Sequence, residues 1–236
     1  MKVSILGDSI STYQGYNPIG YSVFYDKEMQ EKNGLKSVDD TWWKQLIDFY
    51  DFDLCSNNSY SGSQVAKRNR VSTNRVERLM ELRKNNEDPD LILIYIGCND
   101  YLRGTPLSHN NFLIHDVDYF EDAYDTMLKN IKKLFPNSKV ICSTLMRSYI
   151  TGRDDFKFPE TYLGVVLNEY NNTIKNLAYK NNCGCADLAS EGIMYDTLDG
   201  THPTQKGHAE MCKAWIRSLA KEPKIFESDN KKTIKW

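Results

Sequence analysis

The hexapeptide LILIYI at residues 91–96 constrains the fold most, because six consecutive hydrophobic residues leave no polar face for solvent. A strand with one solvated face alternates apolar and polar residues, whereas a strand buried on both faces is hydrophobic throughout, as in parallel sheets covered by helices. Four other short hydrophobic runs complete a predicted set of five strands, at residues 2–6, 52–56, 139–144 and 184–188.

Hydrophobic residues recur at helical spacing between these runs. The predicted helices cover TWWKQLIDFY after a cap at Asp39 or Asp40, and residues 72–87, 117–134, 160–181 and 203–220, the last with Pro203 in its first turn. Alternating strands and helices predict a doubly wound α/β fold, a three-layer α/β/α sandwich. Two long stretches without periodicity, 13–38 and 101–116, are predicted functional loops.

No repeat or break in composition divides the chain, so residues 1–236 are predicted to form a single domain with a loosely packed, charged tail at 221–236. Lys and Arg total 30 against 32 Asp and Glu, which predicts no general attraction to nucleic acid or anionic lipid. No hydrophobic run is long enough for a signal peptide or for membrane insertion, which favours a cytoplasmic location. The oligomeric state is left open.

The six cysteines are interpreted as small buried hydrophobic residues. Four of them stand singly in or beside predicted elements, and Cys183-Gly-Cys185 lacks both the spacing and the second pair of a zinc site. His109 and His115 lie in a polar loop without a ligand repeat and are predicted to be solvated. The sequence therefore predicts neither a disulfide framework nor a metal site.

Polar residues follow four of the five predicted strands, and the carboxyl ends of parallel strands form the ligand-binding edge of an open sheet. The segments are Gly7-Asp8-Ser9 after the first strand, SNNSYSGS with Gly62 after the second, Gly97-Cys98-Asn99-Asp100 after the third, and, past a short connection after the fifth, LDGTHPT with Asp199 and His202.

These residue types suit acyl transfer. A serine hydroxyl such as that of Ser9 needs a base, and the base needs an orienting partner. His202 is the candidate base, and Asp199 precedes it by three residues, a spacing that lets the carboxylate reach the imidazole. The N–H groups of Ser9 and Gly62 and the side-chain amide of Asn99 are candidate donors to an oxyanion.

Each segment alone has an ordinary structural interpretation. Gly-Asp-Ser and Gly-x-Asn-Asp are common turn sequences, Gly62 lies in an unremarkable polar loop, and Asp199 with His202 suits a helix-capping turn. Their shared position at one sheet edge favours the catalytic interpretation, because together they supply every part of a serine esterase.

In these four segments the sequence resembles the SGNH hydrolases, also called the GDSL family. Gly7-Asp8-Ser9-Ile10 resembles the nucleophile block, with Ile where many members have Leu. Gly62, Gly97-x-Asn99-Asp100 and Asp199-x-x-His202 resemble the other three blocks, in the family's order. The resemblance implies a flavodoxin-like parallel sheet, a triad of Ser9, His202 and Asp199, an oxyanion hole of Ser9, Gly62 and Asn99, and no metal or organic cofactor.

The resemblance leaves the substrate open among carbohydrate acetyl esterases, lysophospholipases, thioesterases and arylesterases. We expect a small-molecule ester with a short acyl group, most plausibly acetyl on carbohydrate. A lysophospholipase or thioesterase is the alternative enzyme, and a flavodoxin-like module that binds without reaction is the alternative outside enzymes. Five aromatic residues of the 13–38 loop suit either sugar stacking or packing of the loop, and packing is favoured: Tyr13, Tyr16, Tyr21, Phe24 and Tyr25.

Overall fold

The computed structural model describes residues 1–67, 69–109 and 114–221. Its strands are β1 (Lys2–Gly7), β2 (Asp53–Ser59), β3 (Leu91–Tyr95), β4 (Lys139–Ser143), β5 (Ser148–Ile150), β6 (Thr161–Tyr162), β7 (Val165–Val166), β8 (Gly184–Ala186) and β9 (Tyr195–Thr197). Its helices are α1 (Lys27–Lys32), α2 (Trp42–Tyr50), α3 (Val76–Leu79), α4 (Cys98–Leu102), α5 (Phe120–Leu134), α6 (Leu167–Lys180) and α7 (Gln205–Leu219).

The main sheet contains five parallel strands in the order β2-β1-β3-β4-β8, which confirms the predicted flavodoxin-like α/β fold. Chain order reverses between β1 and β3, so the crevice at their carboxyl ends is the expected ligand site. Ser9 follows β1 and Asn99 follows β3. The sheet therefore places two predicted site residues at its switch point.

The two faces of the sheet are covered by separate hydrophobic clusters. Leu91, Leu93 and Tyr95 of β3 pack into one cluster together with α2 and α7, where the rings of Trp42 and Trp215 stack at 5.2 Å. The residues of the LILIYI run that alternate with them pack into the other cluster, with α5 and α6. All five residues of β3 are buried, so the hydrophobic run is buried on both faces as predicted.

Two predicted helices are wrong in extent. The segment 72–87 contains only α3 and a 3-10 turn at Met80–Leu82, because Ser72 and Asn74 donate side-chain hydrogen bonds to the carbonyls of residues 65–67. The segment 160–181 begins with a β6–β7 hairpin, and Gly164, at φ 84°, precedes β7, after which α6 starts at Leu167.

Two helix caps and two further details also differ. Thr41, rather than Asp39 or Asp40, caps α2, and Thr204 caps α7, so Pro203 lies before the helix instead of in its first turn. Phe49 of α2 stands at helical spacing with the buried Trp42 and Leu46, yet it is 52% exposed. The predicted loop 13–38 contains the short helix α1, and α4 extends into the start of the predicted loop 101–116; both helices are too brief to show a period.

Some expectations are untested or only partly tested. The single domain stays a prediction, and the predicted tail at 221–236 lies outside the described residues except for Lys221. No disulfide joins the six cysteines, all of which are described, and four are buried: Cys55, Cys98, Cys142 and Cys212. Within the described ranges, no helix combines the length and hydrophobicity needed to cross a membrane.

Candidate active site

Ser9 lies in a tight turn at the carboxyl end of β1. A Cβ on Gly7 would lie 2.7 Å from Ser11 Oγ and 2.9 Å from Ser59 Oγ, so only glycine fits there. Asp8 caps the 3-10 turn Ser9–Ser11, and its Oδ1 accepts the N–H of Ile10 at 3.1 Å. The Gly-Asp-Ser sequence thus turns the chain sharply and leaves Ser9 as the first residue of the turn.

Ser9, His202 and Asp199 form one chain of hydrogen bonds. Ser9 Oγ lies 2.9 Å from His202 Nε2, across 193 positions of sequence, and His202 Nδ1 lies 2.7 Å from Asp199 Oδ2. Asp199 Oδ1 also accepts the backbone N–H groups of Thr201 and His202, at 2.9 and 2.8 Å. The structure therefore brings together three residues that the sequence predicted to meet.

The charge of Asp199 fixes the proton positions in this chain. Burial alone would raise its pKa, but the hydrogen bonds from the ring and backbone of His202 outweigh burial and lower the pKa to about 2. A charged carboxylate only accepts hydrogen bonds, so His202 Nδ1 carries the proton. Nε2 then accepts from the Ser9 hydroxyl, which is the arrangement needed for proton removal from serine.

The loop that carries Asp199 and His202 is held by buried side chains. Tyr25 Oη donates to Pro203 O at 2.7 Å, Tyr195 Oη donates to Thr201 O at 3.0 Å, and Ser148 Oγ donates to Gly200 O at 2.6 Å. Behind the loop, a Cβ on Gly207 of α7 would overlap the carbonyl of Asp196, so α7 packs closely against β9. These contacts fix the imidazole relative to the end of β1.

Asn99 links the Ser9 turn to the Gly62 loop. Its Nδ2 donates to Ser63 O at 3.1 Å and lies 3.3 Å from Asp8 Oδ2. Gly62 has a φ of +78°, a conformation that side chains other than glycine rarely adopt. The three predicted donor residues thus belong to adjoining segments around the serine.

Asp100 is a site residue to which sequence reasoning assigned no role, although it stands beside Asn99 in the same motif. Its buried carboxylate accepts the N–H groups of Val65 and Ala66, at 2.8 and 2.9 Å. Burial raises its pKa to about 7, against the lowering effect of those two hydrogen bonds. Asp100 therefore ties the loop after Gly62 to α4.

Arg78 was also missed, because its sequence context is a charged segment typical of a solvated helix. It is 3% exposed, and its guanidinium donates to Gly7 O and Asn58 O, both at 3.1 Å. Burial lowers its pKa only to about 10, so it is cationic at neutral pH, and it lies 5.3 Å from the centre of the Tyr21 ring. Arg78 fixes the carbonyl that precedes the Ser9 turn.

The aromatic loop at 13–38 mainly packs onto the body of the protein. Tyr13 and Tyr25 are buried, and Tyr16 is 41% exposed. The Phe24 ring stacks on the His202 imidazole, with centroids 3.5 Å apart and planes within 7°. Nothing in the sequence indicated this contact, because the two residues are far apart in the chain.

The other histidines lie outside the Ser9 chain. His208 of α7 is fully buried and accepts the N–H of Trp42 at 3.2 Å, and burial lowers its pKa to about 3. His109 and His115 were predicted to be solvated, and this is right for His115, whose side chain is 54% exposed, and wrong for His109, whose side chain is 15% exposed. Both lie against the carboxylate of Asp122, His109 at 3.1 Å and His115 at 3.4 Å.

A parallel α/β sheet with a serine, a histidine and an aspartate hydrogen-bonded in series at its carboxyl edge has the arrangement of a serine hydrolase. A family model described as GDSL-like Lipase/Acylhydrolase matches residues 1–154, more than half of the chain, and includes Ser9, Gly62 and Asn99. The chain belongs to the GDSL-like lipase/acylhydrolase family, and it is a hydrolase.

Solved structures of the same family have the same fold. A protein described as a GDSL-like lipase from Bacteroides ovatus ATCC 8483 superposes with a TM-score of 0.71 at 24% identity, over 94% of this chain and 98% of its own. Another from Bacteroides uniformis ATCC 8492 has a TM-score of 0.71 at 25% identity, over 93% and 95%.

A more distant structure is that of an acetyl xylan esterase from Geobacillus stearothermophilus. Its TM-score is 0.58 at 17% identity, over 92% of this chain and 94% of its own, so the likeness concerns the fold alone. Comparison with the curated proteins gives no match.

Phe24→Ala is expected to lower kcat/KM by about tenfold or more, because the imidazole loses the surface that orients it and small displacements of reacting groups are costly. Phe24→Tyr keeps the ring and should retain most of the activity. The measurement is hydrolysis of a p-nitrophenyl ester, with Tm as the check on folding. Phe49→Ala, at an exposed ring of α2, is the matched control. Equal activity of Phe24→Ala and this control would contradict the role of the stack.

Asp100→Asn is expected to flatten the dependence of stability on pH. The folded state keeps the Asp100 proton up to a pH of about 7, whereas the unfolded chain loses it near a pH of about 4. Stability therefore falls as pH rises through this interval, by up to about 1.4 kcal/mol per pH unit from this group.

Urea unfolding at intervals between these two pH values would measure the slope. Asp8, whose pKa burial raises to about 6, contributes in the same direction and remains in the variant. An unchanged slope in Asp100→Asn would show that the Asp100 carboxyl does not titrate in this interval in the folded protein.

Proposed function

We propose that this protein is a serine ester hydrolase that removes short acyl groups, namely acetyl groups on carbohydrate. The observation that carries the proposal is the hydrogen-bonded series from Ser9 Oγ through His202 to Asp199, with distances of 2.9 and 2.7 Å. This series supplies a nucleophile, a base and a group that orients the base.

In the proposed reaction Ser9 Oγ attacks the ester carbonyl while His202 Nε2 takes the hydroxyl proton. Asp199 stabilises the imidazolium without taking its proton, which a pKa of about 2 supports. The imidazolium then protonates the leaving alcohol, and an acyl-enzyme on Ser9 remains. Water attacks the acyl group with His202 again as base, and the acid is released.

The proposed oxyanion hole consists of the N–H groups of Ser9 and Gly62 and the amide of Asn99. Asn99 Nδ2 is 3.3 Å from Asp8 Oδ2, the longer of its two contacts, so this hydrogen is the one to be redirected to an oxyanion. The contact with Ser63 O keeps the amide in place meanwhile. Donors arranged in advance of the reaction stabilise developing charge effectively.

A carbohydrate substrate is supported by two aromatic rings beside the Gly62 loop. Tyr21 and Tyr60 are half-buried, with ring centres 5.1 Å apart. The residues that follow them are joined by a backbone hydrogen bond, from Ser61 N to Ser22 O at 2.8 Å. Aromatic rings of this kind stack on the apolar faces of sugars. The fold shared with an acetyl xylan esterase agrees with this substrate class.

Ser9→Ala is expected to reduce ester turnover by about 10³-fold or more, because the hydrogen-bonded series loses its nucleophile. A fluorophosphonate probe should label the parent protein at Ser9, located by peptide mapping, and leave the variant unlabelled. Ser190→Ala, at an exposed serine, should behave as the parent. Near-normal turnover in folded Ser9→Ala would disprove the mechanism.

Acetate should give the highest kcat/KM in a series of p-nitrophenyl acetate, butyrate and octanoate, because the proposed substrate carries a short acyl group. A second panel would compare acetylated xylo-oligosaccharides with lysophosphatidylcholine and an acyl thioester. A preference for octanoate together with release of fatty acid from the lipid or thioester would instead identify a lysophospholipase or thioesterase.

A further inference from the structure

Arg103 is a cation held beside the Gly62 loop by buried neighbours. Its Nη1 donates to Gln64 Oε1 at 2.9 Å. Gln64 is 5% exposed, and its own Nε2 donates to Thr105 Oγ1 at 3.0 Å, which leaves Oε1 directed at the arginine. The guanidinium is thus oriented by a side chain that is itself fixed.

The position of Arg103 places its charge at the proposed oxyanion loop. Its Nη2 lies 3.5 Å from the point that a Cβ on Gly62 would occupy. Arg103 follows α4, the helix that carries Asn99, so two of the three proposed donor residues adjoin it in space or in sequence. The opposite side of this segment meets the β6–β7 hairpin, where Leu163 packs against Gly104.

The side chain of Arg103 is exposed, and its guanidinium forms no ion pair with a carboxylate among the described residues. Three other arginines pair with a carboxylate, Arg75 with Glu77, Arg147 with Glu160, and Arg153 with Asp155, whereas exposed Arg217 also has no carboxylate partner among the described residues, so it is the place of Arg103 beside the Gly62 loop that sets it apart.

The acidic groups of the site are already engaged. Asp199 binds His202, Asp8 accepts from Ile10, and Asp100 accepts from the backbone of the Gly62 loop. None of them neutralises Arg103. The cleft therefore offers an unneutralised, oriented cation next to the place where the ester carbonyl would bind.

We propose that Arg103 binds an anionic group, a carboxylate or a sulfate, on the substrate close to the scissile ester. This inference rests on the proposed function and narrows its substrate class to acyl esters of acidic molecules, such as acetylated acidic sugars. A guanidinium suits this task because its planar fork donates parallel hydrogen bonds to two oxygens of one anion. With Nη1 committed to Gln64, the Nε and Nη2 edge faces the ligand.

The test uses three aryl acetates that differ only at the meta position of the ring: 3-carboxyphenyl, 3-sulfophenyl and 3-carbamoylphenyl acetate. The first two are anionic at neutral pH and distinguish carboxylate from sulfonate, and the third is a neutral analogue of similar size. Should a longer acyl chain be preferred in the p-nitrophenyl series, the same three alcohols would carry that chain. The readout is the ratio of kcat/KM for an anionic ester to that for the neutral ester.

The parent protein is expected to prefer one of the anionic esters by about tenfold, the size of one charge-assisted hydrogen bond, and less at high salt. Arg103→Gln should bring the ratio close to one, and Arg103→Lys should restore part of it. Arg217→Gln, which removes an equal charge near the far end of α7, should leave the ratio and the rates as in the parent.

A parent ratio near one, or an equal fall for all three esters in Arg103→Gln, would overturn the inference. The rate of fluorophosphonate labelling at Ser9 in Arg103→Gln shows that the site is still assembled, and a variant that fails to label is replaced in the comparison by Arg103→Lys. Failure of the proposed function is separately visible, because Ser9→Ala would then retain turnover of all three esters.

Discussion

The hydrogen bond between Ser9 and His202 is the interaction on which the rest of the site depends, because its two ends come from opposite ends of the chain. The sheet fixes one end, because β1 lies between β2 and β3 and Ser9 follows its carboxyl end at the switch point. The other end belongs to a loop between β9 and α7, outside the main sheet. Its position is set by buried hydroxyl groups that donate hydrogen bonds to three of its carbonyls, those of residues 200, 201 and 203.

Burying polar and charged groups costs free energy of folding. In this structure three buried ionisable groups support the Ser9 turn and the Gly62 loop. Asp8 and Asp100 are buried carboxyls with raised pKa values, and Arg78 is a buried cation. Each is retained because it orients backbone: Asp8 caps the Ser9 turn, Asp100 holds the loop after Gly62, and Arg78 binds Gly7 O. The protein thus gives up some folding stability to hold the backbone around Ser9 and Gly62 in one arrangement, as is common at functional sites.

The parts that the sequence predicted well are those governed by local rules. A hydrophobic run without alternation is a doubly buried strand, and residues directly after parallel strands share one edge, so β3 and the approach of Asn99 to the Ser9 turn followed from pattern and topology. The meeting of Ser9 with His202 was also predicted, but His202 follows β9, outside the main sheet, and not the fifth strand of the sheet as expected. The helix predicted at 72–87 is wrong in extent because the side chains of residues 72 and 74 donate hydrogen bonds to carbonyls of the preceding loop. The spacing of hydrophobic residues does not indicate such bonds. The proposed roles of Phe24 and Arg103 depend on neighbours that are close only in the folded structure. No spacing of residues along the chain could therefore predict these roles.

The positions of Phe24 and Arg103 indicate how the same series of Ser9, His202 and Asp199 could be combined with different substrate-binding surfaces. The proposed reacting groups stand on strand ends and on a tightly anchored loop, whereas the surfaces around them come from long connections: Phe24 from the 13–38 segment and Arg103 from the segment after α4. Surface connections tolerate changes in length and composition better than the elements they join, although the 13–38 segment also buries Tyr13 and Tyr25 in the core. We propose that the charge and shape of these connections set the choice of substrate, while the series from Ser9 to Asp199 sets the reaction. Under this proposed division, altering Arg103 changes which ester is chosen, and altering the anchors of His202 changes whether any ester is cleaved.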